Sequence, residues 1–270
     1  YNFILPTWFA MVALGAFTVG YGAVASSKAD GEADEPSMFN LQLLAGLAGA
    51  LLTVFLGNLG TIQLIFNAMQ RVAAPGGTVP AETGLIQHWV WAFQGIWKMI
   101  TEKAMLPIGR GDWYWFPSRV IPTGPGNEIT EFPLFTFLYS DLHAHMLVMP
   151  LTLFIIAWAL AFVRSRAQLT RGEWIASFGI GALMIGALKP TNTWDLYTYY
   201  LLAAIAVGYT IFRYFDWKDY FNVPAVAGKA GLAVGAAVLL YVLGALFYLP
   251  FSHWFGQSYN SFAFWTASRT

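Results

Sequence analysis

Apolar residues run uninterrupted by charge through six stretches: Tyr1 to Ser27, Phe39 to Gln70, Met146 to Val163, Trp174 to Leu188, Leu196 to Phe212 and Ala230 onward past Pro250. A helix needs about 20 apolar residues to cross about 30 Å of hydrocarbon, so the pattern predicts six membrane segments. Trp174 to Leu188 is short and is expected to extend its ends into the interface or to be partly sheltered by neighbouring helices. The second run is too long for one crossing. It is expected to cross to about Gly57-Asn58, leaving Leu59 to Arg71 on or near the surface. Small residues crowd Ala45-Gly-Leu-Ala-Gly-Ala50 and Gly179-Ile-Gly-Ala182, which lets helix backbones approach closely. The expected fold class is all-α: a polytopic transmembrane helix bundle forming a single membrane-embedded domain over residues 1–270.

The loop 71–145, about 75 residues, is too long for a structureless connection. Within Leu85 to Lys103, Trp89, Phe93, Trp97 and Ile100 recur at three- and four-residue spacing, which predicts an amphipathic helix lying in the interface. Pro117 to Pro133 is rich in Pro and Gly and reads as loop.

Charge sets the sidedness. Arg164, Arg166 and Arg171 occupy one short loop, and Arg213, Lys218 and Lys229 the next loop on that face, so 164–173 and 213–229 are expected to be cytoplasmic in a multi-pass protein of the cell membrane. Alternation then places 71–145, the Lys189-to-Asp195 turn and the tail past Pro250 on the external face. The loop Lys28 to Glu35 falls on the cytoplasmic side with one Lys against four acids, and carboxylates contribute little to orientation.

Composition agrees with this picture: 57% of residues are hydrophobic and 10% charged, against about 25% charged in soluble domains. A net charge of zero without a basic block gives no support to nucleic acid as a partner or to attachment to an acidic membrane surface. With no cysteine, disulfides, thiolate metal sites and cysteine nucleophiles are excluded. The chain opens on Tyr1-Asn-Phe rather than Met and stops at Ser268-Arg269-Thr270, so a piece of a longer polypeptide is expected.

The chemistry concentrates in Glu131-Phe-Pro-Leu-Phe-Thr-Phe-Leu-Tyr-Ser-Asp141-Leu-His143-Ala-His145, at the mouth of the Met146 run. A carboxylate costs about 2.5 to 3.5 kcal/mol at the bilayer centre and less at the interface or in a wet cavity, so groups kept this close to lipid point to binding. Topology gathers Asp112, Arg119, Glu131, Asp141, His143, His145 and Asp195 on one face, as a site requires. On an extended entry segment the imidazoles of His143 and His145 point the same way, whereas on a helix they diverge by about 200°. With Asp141 they offer three ligands to a divalent metal, magnesium or manganese, that would neutralise a lipid-linked phosphate. The plainer reading is interfacial hydrogen bonding, and a third is a general base near neutral pH. Arg119 fits phosphate by its planar fork, or is an ordinary interfacial arginine near Trp113 and Trp115. Glu131 and Asp195 suit acid, base or sugar-hydroxyl contacts, while Asn192-Thr-Trp-Asp195 also reads as a polar turn capping the fifth helix. Trp113, Tyr114, Trp115 and Phe116 suit stacking on sugar or polyprenyl, or an interfacial belt.

The order Gly57-Asn58-Leu-Gly, Asp112-Trp-Tyr-Trp-Phe-Pro-Ser-Arg119-Val-Ile-Pro122, Glu131 through His145, then Asn192-Thr-Trp-Asp195 resembles the YYY family of polytopic membrane proteins. That family occurs in archaea and Chloroflexota-like bacteria and is grouped with the GT-C glycosyltransferases. The resemblance implies a GT-C-like enzyme that moves a sugar from a polyprenyl-phosphate donor to an acceptor on the external face. In such a site Glu131, Asp141, His143 and Asp195 are the catalytic candidates, and Asp112, Trp113, Arg119, His145 and Asn192 the substrate-binding ones. Membrane lipids and membrane protein partners are the other expected contacts. Two departures stand out. Ala144 replaces the proline of the family's Asp-Leu-His-Pro-His, and the Tyr-rich and acidic motifs near the family's start lie upstream of Tyr1, since Tyr197, Tyr199 and Tyr200 are not that motif. The competing class is a non-catalytic integral membrane subunit of a larger complex. Pigment or quinone binding ranks lower, because none of the four histidines lies inside a predicted span.

Overall fold

The computed structural model describes residues 2–24, 40–56, 59–119, 129–140, 142–164, 170–217 and 223–255, and every regular element among them is helical. The chain divides into two compact units, 1–153 and 154–270.

In the first unit, α1 (Ile4–Val24) packs along α2 (Leu41–Leu51), which continues into a π-helical turn, Leu52–Leu56. Asn40 starts α2 by accepting the backbone N–H groups of Gln42 and Leu43 on its side-chain oxygen. Glycine brings the two helices together: a Cβ on Gly49 would stand 2.7 Å from the Ala16 carbonyl oxygen, and one on Gly46 2.6 Å from the Phe17 ring. The apolar run then breaks where expected. After Leu56 the next helix, α3 (Gly60–Ala73), is turned by 74° from its predecessor. The 16 residues from Leu41 to Leu56 rise about 24 Å, just short of a full hydrocarbon crossing.

The amphipathic helix expected in the loop 71–145 is α4 (Leu85–Thr101). Its aromatic stripe, Trp89, Phe93, Trp97 and Ile100, is exposed, and its small face packs on α3. There Ala92 and Gly95 are buried, and a Cβ on Gly95 would collide with the Met69 backbone. On the same face His88 Nδ1 bonds Gln70 Oε1, and the Gln70 side chain is 1% exposed. Beyond α4 come a single turn, α5 (Asp112–Trp115), a 3-10 turn over Phe116–Arg119, and α6 (Pro133–Tyr139). Pro117 to Arg119 is thus a short helical turn, not the loop expected from its proline, while 120–128 lie outside the described residues.

The long span α7 (Ala144–Arg164) starts in this unit. Its first turns, with Phe137 of α6, Val12 of α1 and Val54 of the π turn, form a buried cluster around Met146. The Trp8 indole N–H donates to the Leu147 carbonyl at 3.0 Å, fixing α1 to the entry of α7.

The second unit holds the rest of α7 with α8 (Arg171–Thr191), α9 (Thr193–Tyr214), α10 (Ala225–Phe247) and the short α11 (Leu249–Trp254). Thr170 and Glu173 form a reciprocal capping box at the start of α8. The helix reaches 21 residues, about 31 Å, so the short apolar run does extend into its flanks. Gly181 makes room for the Trp158 ring, and Gly186 meets Gly244 where α8 crosses α10. Five described helices have the length and hydropathy to cross a membrane, six if the bent pair through α2 and α3 counts as one. The protein is therefore a polytopic helix bundle.

Candidate functional site

Local folding around α6 builds the constellation at the entry of α7. Phe132 is extended and Pro133 opens α6, where its missing N–H costs nothing. Seven residues later Ser140 takes a left-handed conformation, φ 59°, and ends the helix. After this reversal His143 precedes α7 outside its helical residues, and its carbonyl accepts the N–H groups of Met146 and Leu147, both at 3.0 Å. His145 lies in the first turn. Because one histidine is outside the helix and the other inside, the rings share a side: centroids are 5.4 Å apart and ring planes 18° from parallel.

Glu131 faces this pair. Its Oε2 lies 2.7 Å from His145 Nε2 and accepts the Thr136 hydroxyl at 3.1 Å. Thr136 is 3% exposed, so a buried side chain orients a carboxylate that is itself solvent-accessible. One donor atom from each of Glu131, His143 and His145 falls within 4.8 Å of the other two. Ligands sharing an ion at bonds of about 2.0 to 2.2 Å stand about 3 to 3.5 Å apart, so the trio is near the spacing of a bound ion and somewhat wider. Asp141, the carboxylate first expected beside the histidines, lies outside the described residues. Glu131 is the described carboxylate within ligand reach, and Thr136 is a supporting residue that the sequence did not single out.

The other candidates in this unit make local bonds. Asp112 Oδ2 accepts the Gly109 N–H at 2.8 Å, closing its own turn, and the Trp113 indole donates to the Arg110 carbonyl at 3.0 Å. Arg119 lies 4.1 Å over the Trp115 ring and donates to the Ser118 hydroxyl at 2.9 Å. Its backbone is nonetheless next to the Glu131 segment, because the Ser118 carbonyl accepts the Thr130 N–H at 2.8 Å. Trp115 and Phe116 are exposed, as a belt or a stacking surface would need.

In the second unit Asn192 sits between α8 and α9, and its amide donates to Asp195 Oδ2 at 2.7 Å. The Asn192 side chain does not cap the helix backbone, so the polar turn holds itself closed through its two side chains. Lys189, one turn earlier and part-buried, donates to the Ser252 hydroxyl at 3.0 Å, a contact that joins α8 to α11.

An uncharacterized membrane protein family, DUF2298, matches the whole chain, residues 1–270. The chain belongs to that family. No curated protein and no solved structure matches it. Membership in DUF2298 agrees with the helical spans and carries no activity of its own, so any functional reading of this DUF2298 protein rests on its residues.

Proposed function

We propose that this DUF2298 protein is a GT-C-like membrane glycosyltransferase that takes sugar from a polyprenyl-phosphate donor, with Glu131, His143 and His145 holding a divalent metal against the phosphate. The convergence of three donor atoms within 4.8 Å at the mouth of the most apolar span carries the reading. Two imidazoles and one carboxylate suit zinc or manganese better than magnesium, which prefers oxygen ligands. When bound, such an ion would neutralise phosphate charge in the transition state. The protein's own contribution is positional: Thr136 holds Glu131, and the Met146 cluster with the Trp8 anchor fixes the start of α7. Arg119, adjacent through the Ser118 to Thr130 bond, supplies a second cation on leaving Trp115. The decisive assay is sugar transfer from a lipid-linked donor by the full-length protein. Transfer that depends on metal and fails in His143→Ala supports the reading, and metal-independent transfer untouched by that change overturns it.

This reading puts the site on the external face, supported by the Lys and Arg of the loops around Arg164 and Arg213. Because the chain has no cysteine, single cysteines report cleanly. Glu102→Cys is expected to react with an impermeant maleimide added outside and Asp216→Cys to be protected; the reverse pattern puts the trio in the cytoplasm.

The local bonding of Asp112, Arg119 and Asp195 favours a second reading, a non-catalytic subunit in which these turns brace a partner-binding surface. Stoichiometric metal without transfer from any lipid-linked sugar would select it.

A further inference from the structure

At the opposite end of the second unit from the Asn192 turn, the helices enclose an apolar groove of about 370 Å³. Phe162 of α7, Trp174 and Phe178 of α8, Val207 and Tyr214 of α9 and Leu232 of α10 line it. Its volume lies within the range of about 300 to 1,000 Å³ typical of ligand pockets. The Thr210 hydroxyl on its wall is already bonded to the Ala206 carbonyl at 2.8 Å, leaving an interior suited to hydrocarbon. Cations stand at this end. The Arg213 guanidinium lies 5.4 Å from the ring of Tyr214, a lining residue. Lys229, one turn before Leu232, extends its ammonium to the Phe212 carbonyl at 3.0 Å, which brings α10 against the end of α9. Arg171 is exposed in the first turn of α8, three residues before Trp174.

We propose that this groove holds one acyl chain of an anionic diacyl phospholipid whose phosphate is bound by Arg213 and Lys229. An apolar slot alone would accept any hydrocarbon, but Arg213 beside the lining residue Tyr214 and Lys229 at the end of α9 add positive charge that selects a negative headgroup. Trp174 near the start of α8 and Tyr214 at the end of α9 stand at helix ends, where interfacial aromatics are enriched. This site is separate from Glu131, His143 and His145 and stands whether or not they bind metal.

Native mass spectrometry of the full-length protein in detergent, titrated with dioleoylphosphatidylglycerol and dioleoylphosphatidylcholine, tests the proposal. One phosphatidylglycerol is expected to be retained in preference to phosphatidylcholine. Arg213→Gln and Lys229→Gln should each weaken its binding about fivefold, the effect of about 1 kcal/mol per cation near an anionic lipid. Ala236→Trp, filling the groove, should abolish retention. A readout that needs no filled groove is quenching of Trp174 fluorescence by brominated phosphatidylglycerol chains, taken as the difference between wild type and Trp174→Phe. Equal retention of the two lipids, or a quenching signal unchanged in Trp174→Phe, would overturn the assignment.

Discussion

His88 and the pair His143 and His145 belong to the same unit and do different things. His88 faces inward beside Ala92 and Gly95, and its ring bonds the buried amide of Gln70. That bond serves the α3 to α4 contact. His143 and His145 are exposed, stacked on each other, and one of them bonds a carboxylate that is one-third exposed. A histidine that closes a buried polar pair is structure, because removing it strands its partner. Exposed histidines beside a carboxylate keep their donor atoms within reach of a ligand from solvent, and one atom from each of the three groups already lies within 4.8 Å of the others.

The largest effect expected is on transfer. His143→Ala should lower it about a hundred- to a thousandfold, by analogy with the loss of one transition-state contact. Thermal melting in detergent should hardly move, since exposed substitutions change stability by only about 0.5 kcal/mol. A large drop in melting temperature would move His143 into the class of His88. Thr136→Val sharpens the comparison, because it removes the hydroxyl that orients Glu131 while keeping the shape. A supporting contact of this kind is worth about 10- to 100-fold in metal affinity, read by competition with a chelator. His88→Ala should do the reverse, destabilising by about 1 to 3 kcal/mol through the stranded Gln70 amide while leaving metal affinity unchanged. Smallest of all is Asp195→Asn, which leaves the Asn192 turn without a charged acceptor; it should shift melting slightly and metal affinity not at all. A metal defect in Asp195→Asn would contradict the assignment of the metal to Glu131, His143 and His145.

Spans were legible because charge is excluded from long apolar runs, and α8 extends beyond its run because a polar capping box, Thr170 and Glu173, starts it early. The amphipathic α4 was equally legible, but the aromatic stripe drew attention to the exposed face. Its packing face is marked instead by His88, Ala92 and Gly95 at four- and three-residue spacing, the signal that would have found the Gln70 pair. At the site, the common direction of His143 and His145 is expected for an extended segment, whereas here His143 precedes α7 and His145 lies in its first turn. The contact between Glu131 and His145 did not follow from spacing. It depends on the left-handed Ser140 turning the chain back after α6, and serine gives no sequence warning of that conformation. Arg119 was left open between phosphate and aromatic partners, and its own-turn bonds to Ser118 and Trp115 form through neighbours too close in sequence for periodicity to reveal.

Metal content tests the central claim most directly. Full-length protein purified without a histidine tag, equilibrated with zinc or manganese and freed of loosely held ion, is expected to retain about one ion per chain by elemental analysis. Glu131→Gln, His143→Ala and His145→Ala should each lose it while keeping wild-type helical content. Wild-type protein without stoichiometric metal, or the same metal content in all three variants, would contradict the account.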